Sequence, residues 1–248
     1  MSRELNKLLD VAISQDASDV HLTVGRPPSF RLHGVIRSLN SAKLEPDETA
    51  SMMKQLCNER AQEELASSGT TEFSVGYDGK ARFRVSIFRQ QGHYAIALRR
   101  LPKDIVAMDQ LGLPLHVQEL LARPRGLILV TGPTGAGKTT TLASMVDHLN
   151  ATYNHHIITI EDPIEFVHQH KKSIVNQREV GLDLPSYSAG IHRALRQDPD
   201  VILLGEMRDL ETMSTALTAA ETGHLVLSTT HTTGAARTID RVIDAFPH

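Results

Sequence analysis

The segment Gly132-Pro-Thr-Gly-Ala-Gly137-Lys138-Thr139 fits the pattern G-x-x-x-x-G-K-[ST] and stands between the two elements that pattern requires. Ahead of it Leu127–Thr131 is a strand-forming run, and behind it a helical stretch begins near Lys138. A strand that turns through glycines straight into a helix opens a parallel α/β unit. The glycines let the backbone wrap closely and aim N–H groups at phosphate oxygens, and the helix N-terminus adds a favourable dipole. Gly132, Pro133, Thr134, Gly135, Ala136, Gly137, Lys138, Thr139 and Thr140 are therefore the candidate nucleotide-binding residues. Lys138 is expected on the β- and γ-phosphates, and the Thr139 hydroxyl on Mg²⁺. A GTPase would carry Asn-Lys-x-Asp after the loop. The nearest match, Asn6-Lys7 with Asp10, is mis-spaced and precedes it, so ATP is the expected nucleotide.

The rest of the second half repeats this grammar. Apolar strands at Ile157–Ile160, Val201–Leu204 and Leu225–Thr229 alternate with helical stretches at 138–149, 187–197, 209–221 and 235–245. Continuous apolar strands separated by helices predict a parallel sheet covered on both faces. Two acidic clusters follow strands: Glu161-Asp162-Pro163-Ile-Glu165, and Gly205-Glu206-Met-Arg208-Asp209. Ligands of open parallel sheets gather at the strands' carboxyl ends, so both clusters are expected at one Mg·ATP, where one carboxylate can serve the metal and another a water. His224 and His231 bracket the last strand, and a histidine at a strand end can sense a γ-phosphate by hydrogen bonding. The pairs His155/His156 and His168/His170 lack the further ligands of a second metal site.

The first half reads differently. Leu5, Leu8, Leu9, Ala12 and Ile13 share one helical face, and Asp19–Val24 reads as a strand stopped by Gly25 and Pro27-Pro28. A further strand is expected around Phe30 and Leu32, and a helix opened by Pro46 and closed by Gly69. Asp78-Gly79 marks a hairpin whose second strand alternates Phe83, Val85 and Ile87 with Arg82, Arg84 and Ser86. With a last strand, Tyr94–Arg99, these make a small α+β domain, expected over 1–112. The nucleotide-binding domain is expected over 113–248.

Composition excludes several classes. A formal net charge of −3, no Trp and 4% aromatic residues give no basic or aromatic nucleic-acid channel. No apolar run approaches the length that spans a bilayer, and the opening residues have no signal-peptide core. A single cysteine, Cys57, excludes an internal disulfide framework and a four-cysteine zinc site. The chain is therefore expected to be a soluble, cytoplasmic protein without nucleic-acid partners or transmembrane segments.

In order along the chain, GPTGAGKTT, TIEDPIEFVH, ALRQDPDVILLGEMRD and TAAETGHLVLSTTHT resemble the Walker A, Asp box, Walker B and His box of the secretion-superfamily ATPases. Within that GspE/PilT-type superfamily they most resemble the retraction ATPases of type IV pili. ASDVHLTVGRPP, ARFRVSIFRQ and PRGLILVTGP match as well, so the likeness covers nearly the whole chain. It implies a PAS-like N-terminal domain before a RecA-like P-loop NTPase core. It also implies a homo-hexameric ring with ATP between subunits, working against an inner-membrane pilus platform protein and so peripheral to that membrane. Glu165 resembles the glutamate that activates water, Glu206 the Walker B glutamate that holds Mg²⁺, and His231 the His-box histidine, with His224 beside it. Arg99 and Arg125, like Arg82 and Arg84, fall in segments from which the family brings arginines to phosphate.

The departures are informative. The four-cysteine module usual in pilus-extension and type II secretion ATPases is missing, and THTTGAARTIDRVIDAFP is closer to PilT-like than to PilU-like sequences. The family continues beyond the position of His248 into a C-terminal helical region, which the chain is expected to lack. The stripe Ala235, Ile239, Val242 and Ile243 is then expected to want a packing partner, and ring assembly or coupling to be poor. The alternatives are a paralogous retraction, secretion or pilus-assembly ATPase, a RecA-like nucleic-acid translocase, and a subunit that binds nucleotide without turnover.

Overall fold

The structure is a computed structural model that describes residues 3–207 and 209–247; Arg208 of the second acidic cluster lies outside them. The chain divides into two compact units, 1–103 and 104–248. The segment 104–112, expected with the first domain, packs in the second. There Met108 joins the core beneath the helix that follows the phosphate loop, and Ser144 Oγ donates to the Val106 carbonyl at 2.6 Å.

The first unit runs α1 (Arg3–Ser14), β1 (Asp19–Leu22), β2 (Ser29–Leu32), β3 (Val35–Ser38), α2 (Pro46–Leu56), α3 (Glu59–Ser68), β4 (Thr70–Tyr77), β5 (Ala81–Gln90) and β6 (His93–Leu101). Its strands form one antiparallel sheet in the order β3-β2-β1-β6-β5-β4. Leu5 and Leu9 of α1, Met52 and Met53 of α2 and Leu65 of α3 pack with Phe83, Val85 and Ile87, so all three helices share one core. The stretch expected as a single helix from Pro46 to Gly69 breaks at Cys57, because Asn58 starts a new one by accepting a hydrogen bond from the Ala61 N–H.

The other face of this sheet is cationic. Register sets Asp19 between Arg31 and Arg99, with Arg84 opposite Arg99. Arg99 Nε donates to Asp19 Oδ1 at 2.9 Å, Arg84 to Glu72 at 3.0 Å and Arg82 to Ser74 Oγ at 3.0 Å. Burial opposes the Asp19 charge, but the Ser18 and Arg99 hydrogen bonds outweigh it and hold its carboxyl below the ordinary value.

The second unit holds a short 3-10 helix (Met108–Leu111), α4 (His116–Leu121), β7 (Gly126–Thr131), α5 (Lys138–Thr152), β8 (His156–Glu161) and β9 (Ile174–Glu179). These are followed by α6 (Tyr187–Ala194), β10 (Val201–Leu204), α7 (Leu210–Glu221), β11 (Leu225–Thr230) and α8 (Ala235–Ile243). The sheet is parallel throughout, in the order β7-β11-β10-β8-β9. Alternation splits each apolar run between two cores. Ile158, Ile202, Leu204 and Val226 pack with Ile191 of α6 and Met213 and Ala216 of α7. Ile157, Val201, Leu203 and Leu227 pack with Leu142, Val146 and Leu149 of α5. Covering both faces is why these strands are apolar at consecutive positions. Among the described residues no helix is long and apolar enough to cross a membrane.

Helix α8 keeps Thr238 buried, while Ile239 and Ile243 are 60% and 57% exposed. Thr238 continues a hydroxyl chain, Thr230 to Thr232 at 2.8 Å and Thr232 to Thr238 at 2.6 Å.

Candidate nucleotide site

Pairing between neighbouring strands assembles the site. Thr131, the last residue of β7, pairs with Thr230 of β11; Ser228 pairs with Leu204 of β10; and Leu204 pairs with Ile160 of β8. The carboxyl ends of β7, β11, β10 and β8 are thus adjacent, about 5 Å apart from strand to strand. From them leave the phosphate loop, His231, Glu206 and the loop carrying Glu165.

The phosphate loop, 132–137, takes left-handed backbone at Gly135 (φ 82°) and Gly137 (φ 84°), conformations that residues with a Cβ rarely adopt. Gly137 leads directly into α5, whose first turn contains Lys138, Thr139 and Thr140. Lys138 Nζ donates to the carbonyls of Gly132 at 2.9 Å and Pro133 at 3.1 Å, which holds the ammonium over the loop. Pro133, Thr134, Gly135, Ala136, Gly137 and Thr139 are exposed, so the cradle is open to a ligand.

Glu206 and His231 meet, with Oε2 and Nε2 3.4 Å apart; the carboxylate is mostly buried and the imidazole half exposed. Thr139 and Glu206 offer a hydroxyl and a carboxylate oxygen. Such hard donors suit Mg²⁺, which takes few protein ligands and completes its shell with phosphate and water. His224 does not join them. It precedes β11 at the opposite end, with Nδ1 3.0 Å from the Ala219 carbonyl, because the six residues of β11 separate the two histidines by roughly 20 Å. Arg125 lies at that same far end, just before β7, its guanidinium 3.5 Å from the Glu221 carbonyl. Arg99 belongs to the first unit, and its side chain is 71% exposed.

The acidic loop after β8 separates its two glutamates chemically. Glu161 Oε1 accepts from Thr159 Oγ1 at 2.6 Å and from Gln177 Nε2 at 3.1 Å. Among the described residues none holds the half-buried Glu165 carboxylate. Sequence reasoning missed Gln177 and Glu179, which β9 presents to this loop. Their signal was weak, because Ile174-Val-Asn-Gln-Arg-Glu179 has only two apolar residues.

The loop ends at His168, which is 8% exposed and whose Nδ1 is buried without a partner among the described residues. Burial lowers its pKa from 6.5 to about 4. In the unfolded chain His168 takes a proton as pH falls through 6.5, while the folded chain resists until about 4. Stability present above 6.5 is therefore lost as pH drops through that window, by up to about 3 kcal/mol. Denaturant titrations between those pH values are expected to show this slope and to lose most of it in His168→Gln. Equal slopes would contradict the assignment.

The type II/IV secretion system protein family matches residues 1–245. A type IV pilus retraction ATPase, PilT, of Pseudomonas aeruginosa is 49% identical over 244 residues, 98% of this chain and 71% of that protein. A twitching motility protein of Neisseria gonorrhoeae is 47% identical over 89% of this chain, which spans only 59% of that relative. The crystal structure of the pilus retraction motor PilT with bound ADP superposes with a TM-score of 0.94 at 52% identity, covering 98% of this chain and 71% of that one. The family match, the sequence identity and the fold match each cover nearly the whole chain, and the chain belongs to the type II/IV secretion system protein family.

Proposed function

We propose that this chain is the ATP-hydrolysing motor of a type IV pilus, and that hydrolysis drives pilin depolymerisation and twitching motility. The observation that carries this reading is the 49% identity with a pilus retraction ATPase over 98% of the chain. In this reading loop N–H groups and Lys138 bind the phosphates of ATP, and Thr139 and Glu206 hold Mg²⁺. The metal, when bound, neutralises phosphate charge. Glu165 takes a proton from the attacking water, and Glu206 keeps His231 oriented toward the phosphate side of the sheet. The working form is a homo-hexamer with a PAS-like first domain, cytoplasmic and docked on an inner-membrane platform protein. Arg99 and Arg125 then reach the phosphates of a neighbouring subunit, which agrees with their exposure and with the distance of Arg125 from the cluster within one chain.

The test is Mg²⁺-dependent ATP hydrolysis by the intact protein, together with restored retraction in cells that lack their retraction motor. Stimulation by single-stranded DNA instead of pilus machinery would refute it. For the arginines, mixing an Arg125→Ala or Arg99→Ala protein with Lys138→Ala is expected to restore part of the lost activity. Mixtures no more active than the separate variants would count against a role across the interface.

A further inference from the structure

Strand β9 turns alternate side chains onto the loop that carries Glu165. Register places Gln177 beside Thr159 and Glu179 beside Glu161. The Gln177 amide makes three contacts with that loop: Nε2 donates to the Phe166 carbonyl at 2.8 Å and to Glu161 Oε1 at 3.1 Å, and Oε1 accepts from the His168 N–H at 2.7 Å. Glu179, 4% exposed, accepts from the Ile164 N–H at 3.1 Å. Backbone groups on both sides of Glu165 are therefore bonded to two side chains of one strand. Phe166 and His168 are buried beneath the loop, so both its polar and its apolar anchors face away from solvent. Such bonding exceeds what a surface connection needs, since an exposed loop can satisfy its N–H and carbonyl groups with water.

We propose that Gln177 and Glu179 are positioning residues that fix the Glu165 carboxylate against the attacking water; this rests on the reading of Glu165 as general base. Gln177 has a second effect: together with Thr159 it occupies Glu161 Oε1, so that oxygen is engaged within the loop's own network. A misplacement of about 1 Å at a reacting group can cost about 100-fold in rate. Loss of the clamp should therefore appear in turnover and leave nucleotide affinity alone, because the phosphate loop belongs to other elements.

The experiment measures kcat, KM and ATP affinity of the intact protein as wild type, Gln177→Ala, the shape-conserving Gln177→Met, Glu165→Gln and the double variant Gln177→Ala/Glu165→Gln. Expected for both Gln177 variants is a fall in kcat of about 10- to 100-fold, with KM and affinity within about threefold. The double variant should be no slower than Glu165→Gln, as for residues that act as a unit. Turnover that survives in Glu165→Gln would overturn the general-base reading itself. If Glu165→Gln is inactive but the Gln177 variants keep wild-type kcat, the clamp alone is overturned. It is also overturned if both Gln177 variants lose nucleotide affinity along with turnover, which would mark a merely structural contact.

Discussion

Lys138→Ala abolishes most nucleotide binding, with an expected loss of affinity on the order of 100-fold. Lys138 Nζ already rests on the Gly132 and Pro133 carbonyls, so its ammonium is oriented before a ligand arrives. Each hydrogen bond from a charged donor contributes about 1.5–3 kcal/mol, and a total near 3 kcal/mol corresponds to roughly 150-fold in affinity. Alanine leaves phosphate charge without its cation while the glycine turn and α5 remain, so the fold should be unaffected. Titration with a fluorescent ATP analogue reads the effect directly. Affinity equal to wild type would show that the loop does not bind phosphate through this residue.

Glu165→Gln is expected to bind ATP within about twofold of wild type and to hydrolyse it about 100- to 10,000-fold more slowly, the range typical for loss of a positioned base. The amide keeps the shape of the carboxylate and cannot take a proton. Phosphate release under saturating ATP decides the matter. If turnover persists, the base lies elsewhere. Glu161 is then a poor substitute in its present conformation, because one of its oxygens is engaged by Thr159 and Gln177.

Much of this architecture was legible in the sequence where burial and period speak together. The strands with unbroken apolar runs emerged close to their expected bounds because both of their faces are covered. The phosphate loop was legible because its glycines answer a backbone demand rather than a packing one. Strand β9 was not, because it sits at the sheet edge and spends its alternate positions on polar contacts to a loop. His224 was misplaced for a related reason. In one dimension it flanks the same strand as His231, but a strand has two ends, and only one of them faces the phosphate loop. Helix α4 was not legible either, a six-residue element that buries Leu121 and leaves Leu120 exposed.

The order of the parallel sheet also has a consequence for how the protein is made. Strand β7 is the first strand of its unit to leave the ribosome, yet among the described residues its only neighbour in the sheet is β11, the last of the sheet's five strands to emerge. Some hundred residues must be synthesised between the two, and long-range parallel pairing of this kind is intrinsically slow. Until Leu225–Thr230 emerges, the phosphate loop hangs from a strand with nothing beside it, while β8, β9 and β10 can already pair with one another. The nucleotide pocket is therefore completed only once β11 has emerged, so a nascent chain cannot hold a finished site before then.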